Sequence, residues 1–274
     1  MTDRYAIIGN PVAQAKSPAL QTAFAKQFGD DMEYGAILAE SGKFAETVRI
    51  FQQSGGLGMN ITMPFKLDAF ELADELTPRG RAAGAINMFT LRTDGTILGD
   101  NTDGFGIMRD ITHNLGRSLK GARVLMLGAG GAVRGTLLPL FDEQPAGIFI
   151  ANRTASKAAD LAREFGAQAG SLSLAGGGFA DITGRFDVII NGSASSMSDE
   201  VPPLPAGVWD ANSLAYDMAY RKEPTAFVRA ARAAGLTQAS DGLGMVVEQG
   251  AECFYLWRGK RPDTAPVIAA LRAG

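Results

Sequence analysis

Three stretches of this 274-residue chain carry side chains whose types and spacing could do chemistry. In the first, Asn60-Ile61-Thr62-Met63-Pro64-Phe65-Lys66, polar groups close an apolar run and a lysine stands where a helix would start. The second, Asp100-Asn101-Thr102-Asp103-Gly104, is a polar loop between two blocks of the chain. A lysine facing a carboxylate can move a proton at a carbonyl or an alcohol. Spacing alone leaves open that Lys66 is an ordinary surface lysine. The third stretch, Gly128-Ala129-Gly130-Gly131-Ala132, follows an apolar run and opens a helix.

Gly128 and Gly130 stand where a dinucleotide fingerprint needs a tight turn and a close backbone approach to pyrophosphate. Val133 takes the third glycine position, so the plain motif is incomplete, but its place between strand and helix suits a phosphate at helix amides. Some twenty residues on, where a carboxylate would grip the ribose of NAD, the chain reads Asn152-Arg153-Thr154, with Lys157 a turn later. A guanidinium binds a 2′-phosphate that a carboxylate would repel, so the charge sign predicts NADP as cofactor.

Composition excludes several classes. With 46% hydrophobic and 20% charged residues, the chain can bury a sizeable core and is neither disordered nor fibrous. The 26 Lys and Arg against 29 Asp and Glu give a charge of −3, with no basic run for nucleic acid or an anionic membrane. One cysteine, Cys253, and one histidine, His113, exclude an internal disulfide and all but exclude a Cys/His zinc site. No metal is expected. His113, in Thr112-His113-Asn114, reads as a surface histidine. The apolar run Tyr5 to Ile8 is too short for a leader core or a membrane span, which predicts a cytoplasmic protein.

The elements that must position these groups alternate. Strands are predicted at Arg4 to Ile8, Glu33 to Leu38, Leu57 to Ile61, Ile86 to Leu91, Thr96 to Leu98, Arg123 to Leu127, Ile148 to Ala151, Phe186 to Ile190 and Leu214 to Asp217. Helices are predicted from an N-cap at Ser17 followed by Pro18, over the Phe44, Val48, Phe51 stripe, and at Lys66 to Ala73, Ala132 to Leu140, Ser156 to Phe165, Leu243 to Trp257 and Pro266 to Arg272. Gly176-Gly177-Gly178 reads as a surface loop. The pattern implies an α/β protein with mostly parallel sheet.

Taken in order, the motifs resemble the shikimate dehydrogenase family over nearly the whole chain. The matching segments are Gly9-Asn10-Pro11 with Lys16-Ser17-Pro18, Asn60 to Lys66, Gly84-Ala85-Ile86-Asn87, Asp100 to Gly104, Gly128 to Ala132 and Asn152-Arg153-Thr154. They continue with Tyr216-Asp217-Met218 and Tyr220, then Asp241 to Met245 and Gln249. The resemblance implies reversible, NADP-dependent interconversion of 3-dehydroshikimate and shikimate, on the pathway to chorismate and aromatic amino acids. It carries the catalytic lysine and aspartate onto Lys66 and Asp103, and substrate contacts onto Ser17, Thr62, Asn87, Tyr216 and Gln249. Cofactor contacts fall on Gly128, Gly130, Gly131, Ala132, Asn152, Arg153, Thr154 and Lys157, with Met218, Gly242 and Met245 at the nicotinamide end.

The implied fold is two-domain α/β. A discontinuous substrate domain of residues 1–102 is completed by 242–274, and a Rossmann-type NADP domain spans 103–241, the active site lying in the cleft between them. The apolar stripe Val246, Val247, Gly250, Phe254 and Trp257 is expected to pack the last helices on the substrate domain. The partner is then a small cyclic hydroxy acid, with no nucleic acid or membrane, and the chain a monomer or homodimer. Where the family has serine and threonine, this chain has Ala15 and Met88, and Gly192-Ser193-Ala194-Ser195-Ser196 also departs from the family's pattern. Losing one hydroxyl to a substrate carboxylate is expected to weaken binding roughly ten- to a hundredfold. The alternatives are a quinate/shikimate or aminoshikimate dehydrogenase-like paralogue, and a non-catalytic NADP-binding regulator; the intact Lys66 and Asp103 argue against the second.

Overall fold

The computed structural model describes residues 2–273, the side chains of Ser196 and Met197 excepted. The chain forms two compact units, one of the residues through Gly106 with those from Val247 on, the other Ile107–Val246. Among the described residues no helix is long and apolar enough to cross a membrane.

The first unit begins β1 (Asp3–Gly9), α1 (Ser17–Phe28), β2 (Met32–Leu38), α2 (Phe44–Gln53), β3 (Gly56–Ile61), α3 (Lys66–Leu72). It continues β4 (Glu75–Leu76), α4 (Pro78–Ala83), β5 (Met88–Leu91) and β6 (Ile97–Asp100), and α5 (Asp103–Arg109) starts in it and ends in the second. The strand order is β2-β1-β3-β5-β6-β4. β1 lies parallel to both neighbours, Ile8 opposite Ile37 and Ile61, and its unbroken apolar run is buried as a central parallel strand requires. β5 runs antiparallel to β3 and β6, so this sheet is mixed, because the short Thr93-Asp94-Gly95 turn can only reverse the chain. On α2, Phe44, Val48 and Phe51 recur at helical spacing and join Ile8, Met59, Ile61, Phe65 and Phe89 in one core.

The second unit holds β7 (Arg123–Leu127), α6 (Gly131–Asp142), β8 (Gly147–Ala151), α7 (Ala155–Glu164), α8 (Gly166–Ala169) and β9 (Ser173–Gly177). There follow β10 (Val188–Asn191), β11 (Leu214–Asp217), α9 (Ala226–Ala233) and β12 (Gln238–Ser240). All six strands are parallel in the order β12-β11-β10-β7-β8-β9. The chain leaves β7 toward β8 on one side and returns to β10 on the other. The loops after β7 and β10 therefore flank the switch point where open α/β sheets bind ligands.

Finally α10 (Leu243–Arg258) and α11 (Ala265–Ala273) end the chain. From Val247 on they belong to the first unit. There Phe254 stacks at 5.8 Å on Phe28 and meets Phe24 edge-on at 6.0 Å, and Trp257 Nε1 donates to the Phe89 carbonyl at 3.0 Å.

Some expectations need correcting. Ser17 is the first residue of α1 rather than its cap; Lys16 holds the cap position and no side chain closes the helix there. Gly176 and Gly177 belong to strand β9, not to a loop. A Cβ at Gly176 would fall on the carbonyl of Ala158, so α7 packs directly on this strand and only glycine fits. The sequence pattern predicts no counterpart of β4, α4, α5, α8, α9 and β12.

Candidate active site

Lys66 and Asp103 each open a helix, α3 and α5. Backbone bonds between adjacent chain segments bring them together: the Lys66 carbonyl accepts from Ile86, the Asn87 carbonyl from Ile61, and the Asp100 carbonyl from Asn87. Lys66 Nζ lies 2.6 Å from Asp103 Oδ2, while Asn87 Nδ2 donates to Oδ1 at 2.8 Å. The Asp103 N–H donates in turn to Asn101 Oδ1 at 3.0 Å. The lysine side chain is 34% exposed and the aspartate 19%, so the pair is braced yet reachable. A cation and a carboxylate at this separation hold a proton donor where a substrate oxygen can meet it.

Asp100, assigned no role of its own from the sequence, is buried in this loop and braces it. It accepts from Arg79 Nε at 2.8 Å and Nη2 at 2.7 Å, from Thr77 Oγ1 at 2.5 Å and from the Asn101 N–H at 2.7 Å. Arg79 also donates to Glu252 on α10 at 3.1 Å. Burial works against the Arg79 charge, and its bonds to Asp100 and Glu252 more than offset that, holding it protonated. The signal available in the sequence was Thr77-Pro78-Arg79, a cap and first-turn proline that place an arginine just inside a helix.

Of the expected substrate contacts, Ser17, Thr62, Asn87 and Gln249 all fall in the first unit. Ser17, Thr62 and Gln249 are half-buried and Asn87 is buried. Asn87 commits its amide to Asp103 and to Thr102 Oγ1, so it positions the carboxylate. Gln249 turns Oε1 toward Thr102 Oγ1, a long contact of 3.4 Å. Ala15 is half-buried two residues before Ser17, whereas Met88 is only 2% exposed and adds to the core rather than to a pocket.

Tyr216 must be corrected. It ends within β11 of the second unit at 0% exposure, and its hydroxyl donates to Asp110 Oδ2 at 2.7 Å. Burial first, and then the Asp110 charge, push its phenol well above the ordinary tyrosine value. It is a core donor to a buried carboxylate and has no surface left for a ligand. Tyr220, in the loop beyond β11, is 38% exposed. The sequence carried that tyrosine in the same motif but did not distinguish the two.

The residues expected to hold the cofactor follow β7, β8, β11 and β12. Gly128 takes φ +107°, where a side chain is strained, and a Cβ there would lie 3.0 Å from the Gly192 carbonyl oxygen. Gly130 and Gly131 face open space, and with Ala132 they leave the first amides of the 12-residue helix α6 exposed and uncapped by any side chain. Such a cradle fits a pyrophosphate. Arg153, Thr154 and Lys157 are exposed after β8, and neither cation pairs with a carboxylate among the described residues. Asn152 is tied to Thr154 by a 3.0 Å bond from Nδ2 to its carbonyl. Met218 lies against Gly192, and a Cβ on Gly242 would fall on the Met218 carbonyl, so these three pack without space for a side chain. The Met245 backbone bonds the Tyr216 hydroxyl. Ser193 donates to Asn191 Oδ1 at 2.7 Å; the Ser196 side chain lies outside the described residues.

Comparison with known proteins places this geometry. A family model described as shikimate dehydrogenase substrate binding domain matches residues 7–89, and one described as shikimate / quinate 5-dehydrogenase matches 110–198. A third, the shikimate 5′-dehydrogenase C-terminal domain, matches 242–272. A shikimate dehydrogenase (NADP(+)) of Aromatoleum aromaticum is 54% identical over 271 residues, covering 98% of this chain and 97% of its own. One of Herminiimonas arsenicoxydans is 54% identical over 274 residues, covering 100% and 98%. The crystal structure of an Ael1 enzyme from Pseudomonas putida superposes with a TM-score of 0.91 at 45% identity, covering 98% of each chain. That of the Thermus thermophilus shikimate 5-dehydrogenase with NADP(H) and shikimate gives 0.84 at 30% identity over 99% of each. With the Lys66–Asp103 pair, the glycine cradle and full-length identity at this level, the chain belongs to the shikimate dehydrogenase family.

Proposed function

We propose that this chain catalyses the reversible, NADP-dependent oxidation of shikimate to 3-dehydroshikimate. The observation that carries the reading is the 2.6 Å Lys66–Asp103 pair, with Asn87 holding the second carboxylate oxygen. Lys66 Nζ moves the proton at the substrate oxygen, and Asp103 fixes the lysine and accepts from a neighbouring ring hydroxyl. NADP, when bound, exchanges the hydride with the substrate carbon. Gly128, Gly130, Gly131 and Ala132 would hold its pyrophosphate, Asn152, Arg153, Thr154 and Lys157 its 2′-phosphate, and Met218, Gly242 and Met245 its nicotinamide end. Ser17, Thr62, Gln249 and, in place of Tyr216, Tyr220 would hold the substrate. The relatives' printed activities and the NADP- and shikimate-bound neighbour support the same assignment. A single buried thiol is in keeping with a reducing, cytoplasmic setting.

Lys66→Ala tests it. Removing a general acid–base group is expected to lower kcat by about a hundred- to ten-thousandfold while NADP still binds with its original affinity. A variant that turns over shikimate at the wild-type rate would overturn the assignment.

A further inference from the structure

The dyad is held from behind by a pair of buried groups with no established part in the reaction. Thr102, at 0% exposure, directly precedes Asp103, and Cys253 on α10, also at 0%, faces it. Their side chains meet at 3.3 Å. Cys253 Sγ also accepts from Asn60 Nδ2 at 3.1 Å, and Asn60 is the last residue but one of β3, the strand that leads to Lys66. Asn60 is itself fixed, because Tyr34 donates its hydroxyl to Oδ1 at 2.6 Å and Nδ2 reaches the Asn87 carbonyl at 3.3 Å. On the other side, Thr102 N donates to Asn87 Oδ1 at 2.9 Å and Thr102 Oγ1 accepts from Asn87 Nδ2 at 3.1 Å.

The proton count orders these contacts. Asn60 Nδ2 is a donor only, so the sulfur accepts there, while between the sulfur and Thr102 Oγ1 either group can donate. Thr102 Oγ1 is the oxygen that S–H can reach. Where the thiol donates, Thr102 accepts from both Cys253 and Asn87, and its own proton has two acceptors within reach, Asn87 Oδ1 at 3.3 Å and Gln249 Oε1 at 3.4 Å. Burial pushes the thiol up to about 12, so it stays a neutral S–H donor through the physiological range.

We propose that Thr102 and Cys253 are positioning residues of the reaction: one buried joint that sets Asn87, and through it Asp103, against Lys66. The inference rests on the function proposed above and extends it to two residues that touch neither substrate nor cofactor. Thr102→Val keeps the shape and removes the oxygen, leaving an Asn87 N–H without its partner. Small misplacements of a reacting group are costly, so kcat with shikimate is expected to fall about ten- to a hundredfold, with the KM for NADP within about twofold. Thr102→Ser restores the hydroxyl and is expected to recover most of that loss. Cys253→Ala should lower kcat in the same direction but less, and the double variant Thr102→Val/Cys253→Ala should cost less than the product of the two single effects.

A second readout does not depend on turnover. Labelling of Lys66 by an amine-specific acylating reagent at one fixed pH, followed by mass spectrometry, is expected to run at least threefold faster in Thr102→Val than in wild type or Thr102→Ser, because the lysine loses its fixed carboxylate. If wild type fails to turn over shikimate, the functional reading fails, while faster labelling still upholds the joint. Unchanged labelling in both folded variants, Thr102→Val and Cys253→Ala, overturns the joint whatever the substrate.

Discussion

Replacing Tyr216 by phenylalanine separates the two roles a tyrosine in this motif can have. The hydroxyl is fully buried and donates to Asp110 Oδ2 at 2.7 Å, while Asn114 Nδ2 donates to Oδ1 at 2.9 Å. The carboxylate is only 3% exposed, and a Cβ on Gly244 would fall on it, so no space remains for water to replace a lost donor. The ring volume is unchanged in the variant, which leaves the hydrogen bond as the main term. A bond to a charged acceptor contributes about 1.5–3 kcal/mol, and removing it leaves a buried charge short of one partner. The second unit should therefore lose about 2 kcal/mol, or roughly 4–8 °C of its unfolding temperature. Thermal unfolding and shikimate kinetics on Tyr216→Phe and Tyr220→Phe make the comparison. Tyr216→Phe is expected to be destabilised with its KM for shikimate within about twofold of wild type; Tyr220→Phe should unfold within about 0.5 kcal/mol of wild type but bind shikimate more weakly. Undiminished stability of Tyr216→Phe together with a raised KM for shikimate would refute the reasoning.

Further outcomes follow from other parts of the two units. Arg153→Ala removes charge-assisted bonds to a 2′-phosphate, so the KM for NADP should rise about ten- to a hundredfold and that for NAD hardly at all; equal changes in steady-state assays would sink the assignment. Ala15→Ser adds a donor beside Ser17, and titration should show shikimate bound more tightly, by up to about tenfold; no gain would mean that the pocket does not use that position. Cys253 titrates at about 12 when folded against an ordinary thiol value when unfolded, so its contribution to stability is complete below about pH 9 and is lost as the pH rises toward 12. Unfolding free energies at pH 8 and pH 10 should accordingly fall by about 1 kcal/mol more in wild type than in Cys253→Ala; parallel losses would contradict the buried thiol.

How far the sequence carried the site depended on the range of the forces involved. The strand–glycine–helix order around Gly128 was legible because a buried parallel strand, a turn and a helix amide cradle each leave a local mark. Lys66 and Asp103 were legible as candidates, but their meeting was not. It depends on β5 and β6 reversing beside β3 and on backbone bonds between segments remote in sequence. The two tyrosines of the Tyr216 to Tyr220 stretch could not be separated by type alone; four residues decide whether a phenol ends in the core or beyond the strand. The glycine triplet at Gly176 misled because flexibility and close packing call for the same residue. The partners of Thr102, Arg79 and Cys253 were not legible, even where a loop motif or a first-turn proline marked the residue, since a buried hydrogen-bond partner is chosen by tertiary neighbours.

The most direct measurement is the appearance of NADPH when purified protein is given NADP and shikimate, with parallel runs on quinate, on the amino analogue of shikimate and with NAD in place of NADP. Steady turnover with shikimate and NADP, well above every other pairing, is the result expected of a Lys66–Asp103 dyad served by an Arg153 clamp. Binding of NADP without turnover of shikimate, or faster turnover of quinate or the amino analogue, would contradict it.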